Sequence, residues 1–158
     1  MVKYLEKILL YLAMLLLGTL LSLVFLQVVL RNVFHYSLVF IEELSIILLA
    51  WCAFFSAAYA LRKKAHVAVD YFFLKFGKGA QRAIYFATMF VIFLFILYIA
   101  WYGWRLADRQ MIVPLPVTGF PRGYIYLALP VSCVFMIVFL IDELIRTVRN
   151  SSSEGEEQ

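Results

Sequence analysis

The stretch IEELSIILLAWCAFFSAAYAL, Ile41–Leu61, decides the fold. After the acid pair Glu42–Glu43 it holds no charged side chain until Arg62, and its apolar residues run on without the alternation of a strand. A helix needs roughly 20 apolar residues, at about 1.5 Å rise each, to cross about 30 Å of hydrocarbon. Leu44–Leu61 is close to that length, and three further runs free of Asp, Glu, Lys, Arg and His match it: Ile8–Leu30, Ala83–Trp104 and Tyr124–Ile141. A β-barrel would need segments of about ten residues that alternate apolar and polar, and LLLGTLLSLVFL does not. The reading is an all-α membrane protein with four transmembrane helices.

Composition agrees. Of 158 residues, 65% are hydrophobic and 15% charged, against about 45–50% and about 25% in soluble domains. The first run has no small-residue cleavage pattern, so it is expected to stay as an uncleaved signal-anchor. Cys52 and Cys133 fall inside the second and fourth runs, where a cysteine acts as a small apolar filler. Residues 1–149 form one membrane domain with no internal repeat. Residues 150–158, NSSSEGEEQ, are expected to be a disordered acidic tail.

Orientation follows from Lys and Arg. Ten of the 14 basic residues lie at the N-terminus (Lys3, Lys7), in the middle loop (Arg62, Lys63, Lys64, Lys75, Lys78, Arg82) or near the C-terminus (Arg146, Arg149). The other connections hold Arg31, Arg105, Arg109 and Arg122. Both termini are therefore expected in the cytoplasm. The net charge of +4 then suits contact with anionic membrane lipids and gives no reason to invoke nucleic acid. Trp101, Tyr102, Trp104, Tyr124 and Tyr126 would form the outer aromatic belt, and Tyr4, Tyr11 and Tyr85 the inner one.

The connection RKKAHVAVDYFFLKFGKG contains an apolar portion, Val67–Phe76, flanked by lysines and broken by Gly77 and Gly79. It reads as a short interfacial element between helices 2 and 3 in the headgroup region; a plain loop is the simpler alternative. In RLADRQMIVPLPVTGFPRG, helix 3 can run to about Arg109, after which Pro114, Pro116 and Pro121 favour an extended segment. That strip is either a docking edge or a connector.

The chemistry of pumps and membrane enzymes is missing from these runs. Carrying ions or protons asks for carboxylates, histidine or lysine at mid-membrane, and the four runs hold only Gln27 and hydroxyls that can bond back to their own helix. His35 and His66 belong to opposite membrane faces and cannot share a haem iron. Neither a reactive cysteine pair nor a Ser–His or paired-Asp arrangement is present, so no catalytic residue, metal or cofactor is expected.

Heptad spacing on helix 2 gives the line Glu43, Ile46, Ala50, Ala53, Ala57, Ala60, Lys64. Its alanines form a face on which another helix can approach closely. Glu43 would top that face and pair with Arg31 or with a basic residue of another chain. Glu42 lies about 100° away, and the helix dipole is sufficient reason for it.

The order Arg31-x-x-Phe34, Phe40-x-Glu42-Glu43-Leu44, Trp51, Ser56-Ala57-Ala58, Arg62-Lys63, His66-Val67-x-Val69-Asp70, and then Pro121, Tyr126 and Leu129-Pro130 resembles the small membrane subunit of tripartite ATP-independent periplasmic (TRAP) transporters, over about residues 1–148. The chain departs from that pattern at Phe40, where Trp is frequent, at Ser56, where Gly is frequent, and around Gly77, where a proline is usual. The resemblance implies a non-catalytic subunit in the bacterial inner membrane. Its partners would be a large permease subunit, which carries the substrate and sodium sites, and a periplasmic substrate-binding protein.

The resemblance is greatest to the sialic acid type, and C4-dicarboxylates are the other organic acids to consider. It implies a face for the large subunit that includes Arg31, Glu42, Glu43, Ala50, Ala53, Ala57, Ala60, His66 and Asp70. His66 and Asp70 are one helical turn apart. Docking of the binding protein would fall to Arg105, Arg109 and Arg122. The alternative is a self-contained, homo-oligomeric small transporter or channel, which calls for an embedded carboxylate that these runs lack.

Overall fold

A computed structural model of the chain describes the backbone of residues 2–35, 38–73 and 78–153, and the side chains of residues 2, 4–35, 38–63 and 84–147. Four helices account for almost all of it: α1 (Val2–Val33), α2 (Val39–Phe73), α3 (Lys78–Gln110) and α4 (Gly123–Ser153). Each contains a stretch long and apolar enough to cross a membrane: Tyr4–Val33, Val39–Lys63, Ile84–Gln110 and Gly123–Thr147. This is the expected four-span architecture. At about 1.5 Å per residue, the 32 residues of α1 exceed what hydrocarbon alone requires, so the helix ends carry the charged flanks beyond it.

Helix boundaries follow local chemistry. α1 closes with Phe34 N donating to the Leu30 carbonyl at 3.1 Å, and His35 (φ 52°) turns the chain in the left-handed region. Arg31 sits in that last turn and Glu42 in the first turn of α2, each complementing its helix dipole. α2 does not stop at the basic cluster: Val67–Phe73, expected as a separate interfacial element, is helical and continuous with α2. Nothing between Arg62 and Phe73 breaks a helix; of the expected breakers, Gly77 lies outside the described residues and Gly79 falls in the first turn of α3. By the same reasoning α4 reaches Ser153, past the expected boundary at Asn150, because no Gly or Pro lies between Pro130 and Gly155.

The helices pack in the order α1, α2, α4, α3, each chiefly on the next. α2 and α4 are therefore the inner pair. At the end that bears the termini, Leu9 and Ala13 of α1, Phe55 and Ala58 of α2 and Phe139 of α4 make one cluster. Tyr85 and Met89 of α3 meet Leu140 of α4 in a second. Tyr85 thus departs from the expected aromatic belt: it is buried, and its hydroxyl lies 3.0 Å from Thr147 Oγ1. The other expected belt residues, Tyr4, Tyr11, Trp101, Tyr102, Trp104, Tyr124 and Tyr126, are exposed.

Most Ser and Thr hydroxyls inside the spans bond within their own helix. Thr19, Ser22 and Ser45 donate to the carbonyls of Leu15, Gly18 and Ile41, one turn earlier. Cys52 and Cys133 are free and buried, and Cys52 Sγ reaches the Ala13 carbonyl at 3.6 Å. Pro130 lies within the continuous α4 where its ring faces Gly103 of α3, and Ser132 Oγ donates to the Leu129 carbonyl at 2.8 Å.

α3 and α4 approach closely at Gly123. A Cβ there would stand 2.7 Å from the Ala107 carbonyl oxygen and 2.6 Å from Met111 Sδ, whereas at Gly103 it would meet the flexible end of Leu129. Overpacking a close helix contact costs about 1–3 kcal/mol. Gly123→Ala should therefore lower the unfolding temperature in detergent micelles clearly, and Gly103→Ala much less, because Leu129 can turn aside and the Ala107 backbone cannot.

Candidate partner-binding surfaces

The end opposite the termini is organised by the acid pair. Beyond α3, the segment from Val113 to Arg122 doubles back as a short hairpin. Arg122 N donates to Val113 O at 2.9 Å and Leu115 N to Phe120 O at 2.8 Å, around an isolated antiparallel bridge between Pro114 and Pro121. Proline has no N–H and restricts the ladder to these few bonds. Gly119 N closes the tip on Leu115 O at 3.1 Å, with Gly119 at φ 69°. The strip expected to be extended is therefore an ordered turn.

Glu43 holds its tip. The carboxylate accepts from Val117 N at 2.9 Å, from Thr118 N at 2.8 Å and from Thr118 Oγ1 at 2.6 Å. Successive backbone N–H groups form a concave donor site suited to an anion, and here the anion is a side chain of α2 that is only 6% exposed. This corrects the expectation that Glu43 pairs with Arg31: its carboxylate is engaged by the hairpin of its own chain. The bonds come from backbone across a long sequence gap, which no charge pattern reveals. Arg31 is exposed.

Glu42 faces a different way. Its Oε1 accepts from Gln27 Nε2 of α1 at 2.7 Å, and the side chain is exposed. Glu42, Ile46, Leu49, Ala53, Ser56, Ala57, Ala60 and Lys63 are all exposed, and at about 100° per residue they occupy one face of α2. Ala50 is half-buried at its margin, while Ile41, Glu43, Cys52, Phe55, Ala58 and Arg62 line the inner side. The small-residue face exists, but it is centred on Glu42 rather than topped by Glu43. Sequence spacing located it to within part of a turn; only the positions of α1 and α4 fix its centre. The side chains of His66 and Asp70 lie outside the described residues.

The termini-bearing end is organised by a group that the charge count assigned to topology alone. Arg62 is 5% exposed. Its Nη2 lies 2.7 Å from Asp142 Oδ2 and its Nη1 3.0 Å from Glu143 Oε2, while Nε is 4.0 Å from Glu6 Oε2. The guanidinium also lies over the Phe139 ring. Lys63 pairs with Glu6 at 3.3 Å and Arg146 with Asp142 at 2.8 Å. One cation thus ties α1, α2 and α4 together, and the fork geometry of Arg suits two carboxylates at once. A signal was present in the sequence: the only acids within α1 and α4 are Glu6, Asp142 and Glu143.

Arg105, Arg109 and Arg122 are exposed at the hairpin end. Arg105 lies over the Trp101 ring, 5.6 Å from its centroid. Beside them the hairpin exposes Ile112, Val117 and Phe120.

These features define a small multi-pass membrane protein with ionised groups gathered at both ends and a long unoccupied face on α2. The chain belongs to the family of the DctQ component of tripartite ATP-independent periplasmic transporters, whose model matches residues 8–150; it is a small permease subunit of a TRAP transporter. Two proteins of Haemophilus influenzae, each named as a proposed TRAP transporter small permease protein, are similar to it. One is 28% identical over 152 residues, covering 96% of this chain and 92% of the relative. The other is 30% identical over 126 residues, covering 80% and 78%.

Two outcomes follow from the geometry. Hydrogen bonds to a charged group contribute about 1.5–3 kcal/mol each, so Glu43→Ala should speed hydrogen exchange at the Val117 and Thr118 amides by at least about tenfold, while Glu42→Ala leaves them unchanged. Removing one member of a buried ionic group costs about 3–5 kcal/mol, so Arg62→Ala should sharply reduce resistance to denaturant in micelles. Arg62→Lys, which keeps the charge but loses the fork, should fall between.

Proposed function

We propose that this chain is the non-catalytic small permease subunit of a sodium-coupled, binding-protein-dependent importer of organic acids, in the bacterial inner membrane with both termini cytoplasmic. The observation that carries this reading is the placement of charge. From Ile8 to Leu30, Leu44 to Leu61, Ala83 to Trp104 and Tyr124 to Ile141 there is no ionisable Asp, Glu, Lys, Arg or His, and an ion-coupled path needs such partners at depth. Solute and sodium are then handled by a large permease subunit, and this chain braces that subunit in the bilayer.

The bracing face on this reading is the α1–α2 side, with Arg31, Glu42, Ala53, Ala57 and Ala60 outward, Ala50 at its margin, and His66 and Asp70 farther along α2. The hairpin end, with Arg105, Arg109 and Arg122 around exposed apolar side chains, receives the substrate-binding protein. Glu43 contributes by keeping that hairpin in shape. Sialic acid is the first substrate to test and C4-dicarboxylates the second.

The test is uptake of labelled sialic acid or C4-dicarboxylate into liposomes under a sodium gradient. Reconstituted with its large permease subunit and binding protein, the chain should support uptake; reconstituted alone, it should give none. Robust flux from this chain alone would instead establish a self-contained homo-oligomeric transporter. Loss of uptake in an Arg105, Arg109 and Arg122 to Ala triple variant, with assembly intact, is the expected signature of impaired docking.

A further inference from the structure

Among the described acidic side chains of α1, α2 and α4, Glu42 has a singular environment. Glu6 has Lys63, Asp142 and Glu143 share Arg62, and Glu43 has the hairpin N–H groups. Glu42 is held by the neutral amide of Gln27 through one oxygen. It also stands at the head of the outward α2 face, whose other end, Lys63, is already paired with Glu6. The face is thus apolar and small-sided along its length, with its lysine paired at one end and, at the other, a carboxylate that has no cation among the described residues within ion-pair distance.

We infer that this face seats a membrane-embedded helix of another chain that carries an arginine or lysine side chain level with Glu42. Packing a helix over the face strips water from the Glu42 carboxylate, and a single neutral donor does not offset that loss. A cation on the incoming helix does, and it fixes the depth at which the two helices meet. Ala53, Ala57 and Ala60 give the backbone of that helix close access, where contact area and hydrogen bonds supply the attraction that lipid cannot. Glu42 is in this respect a specificity element, while the neighbouring Glu43 is an internal clamp.

The inference rests on the reading that a large permease subunit is the partner, and the experiment separates the two. An affinity-tagged large subunit is co-expressed with the wild-type chain, Glu42→Gln, Glu42→Arg or Ala53→Trp, and the small subunit recovered from detergent extract is quantified. The unfolding temperature of each isolated variant is measured alongside, and all three should stay near wild type, since both positions are exposed and Glu42 gives up only one exposed hydrogen bond and a favourable place in the first turn. Recovery of Glu42→Arg should fall at least tenfold, of Glu42→Gln less, and of Ala53→Trp strongly. Wild-type recovery for Glu42→Arg, whatever Ala53→Trp does, overturns the cation and leaves the partnership standing. No recovery of the wild-type chain overturns both.

Discussion

Arg62 has almost no access to water, and its charge has to be answered inside the bundle. The answer comes from three helices: Asp142 and Glu143 on α4 at bonding distance, with Glu6 on α1 at the edge of reach. Since lipid provides no hydrophobic drive between helices, packing alone fixes the depth of one helix against another weakly. A buried guanidinium whose several donors face carboxylates on two other helices fixes it far more sharply, because sliding any of the three helices by a turn would leave a buried charge unmatched. The order α1, α2, α4, α3 therefore has an electrostatic register at the termini-bearing end, with Phe139, Phe55 and Leu9 packed beneath it.

The other end of α2 follows the same constraint with the sign reversed. Glu43 is also nearly sealed from water, and its donors are two backbone amides and a hydroxyl of the hairpin between α3 and α4. The two anchors differ in kind. Arg62 binds side chains that any charge count can find, whereas Glu43 binds backbone groups that become available only once Pro114, Pro116 and Pro121 have limited the ladder and Gly119 has turned the tip. Together they hold α2 between a cation site and an anion site, and the helix is left free to present its opposite face outward.

That division bears on how a small permease subunit works within a TRAP transporter. A brace must be rigid in itself and adhesive on one side. Rigidity comes from the internal anchors and from the close α3–α4 approach at Gly123; in the bracing role proposed above, the adhesive side is the α2 face with Ala53, Ala57 and Ala60. The two adjacent glutamates face opposite demands in that proposed role, because a step of about 100° along a helix turns Glu43 inward and leaves Glu42 outward.

Apolar run length and the position of Lys and Arg were enough to read four spanning helices, because hydrocarbon thickness and backbone hydrogen bonding allow few alternatives. The local bonding of Thr19, Ser22 and Ser45 was also readable, since a hydroxyl in lipid turns to its own helix. The sequence alone could not decide the inward and outward sides of α2. Glu42 and Glu43 are chemically identical, and only the placement of α1, α4 and the hairpin around α2 separates their roles. The same holds for Tyr85, an aromatic of belt type in sequence, which meets Thr147 because α4 lies beside it. Side-chain chemistry is a local property, but the partner that satisfies a buried group is set by contacts far apart in the chain, and those exist only in the folded bundle.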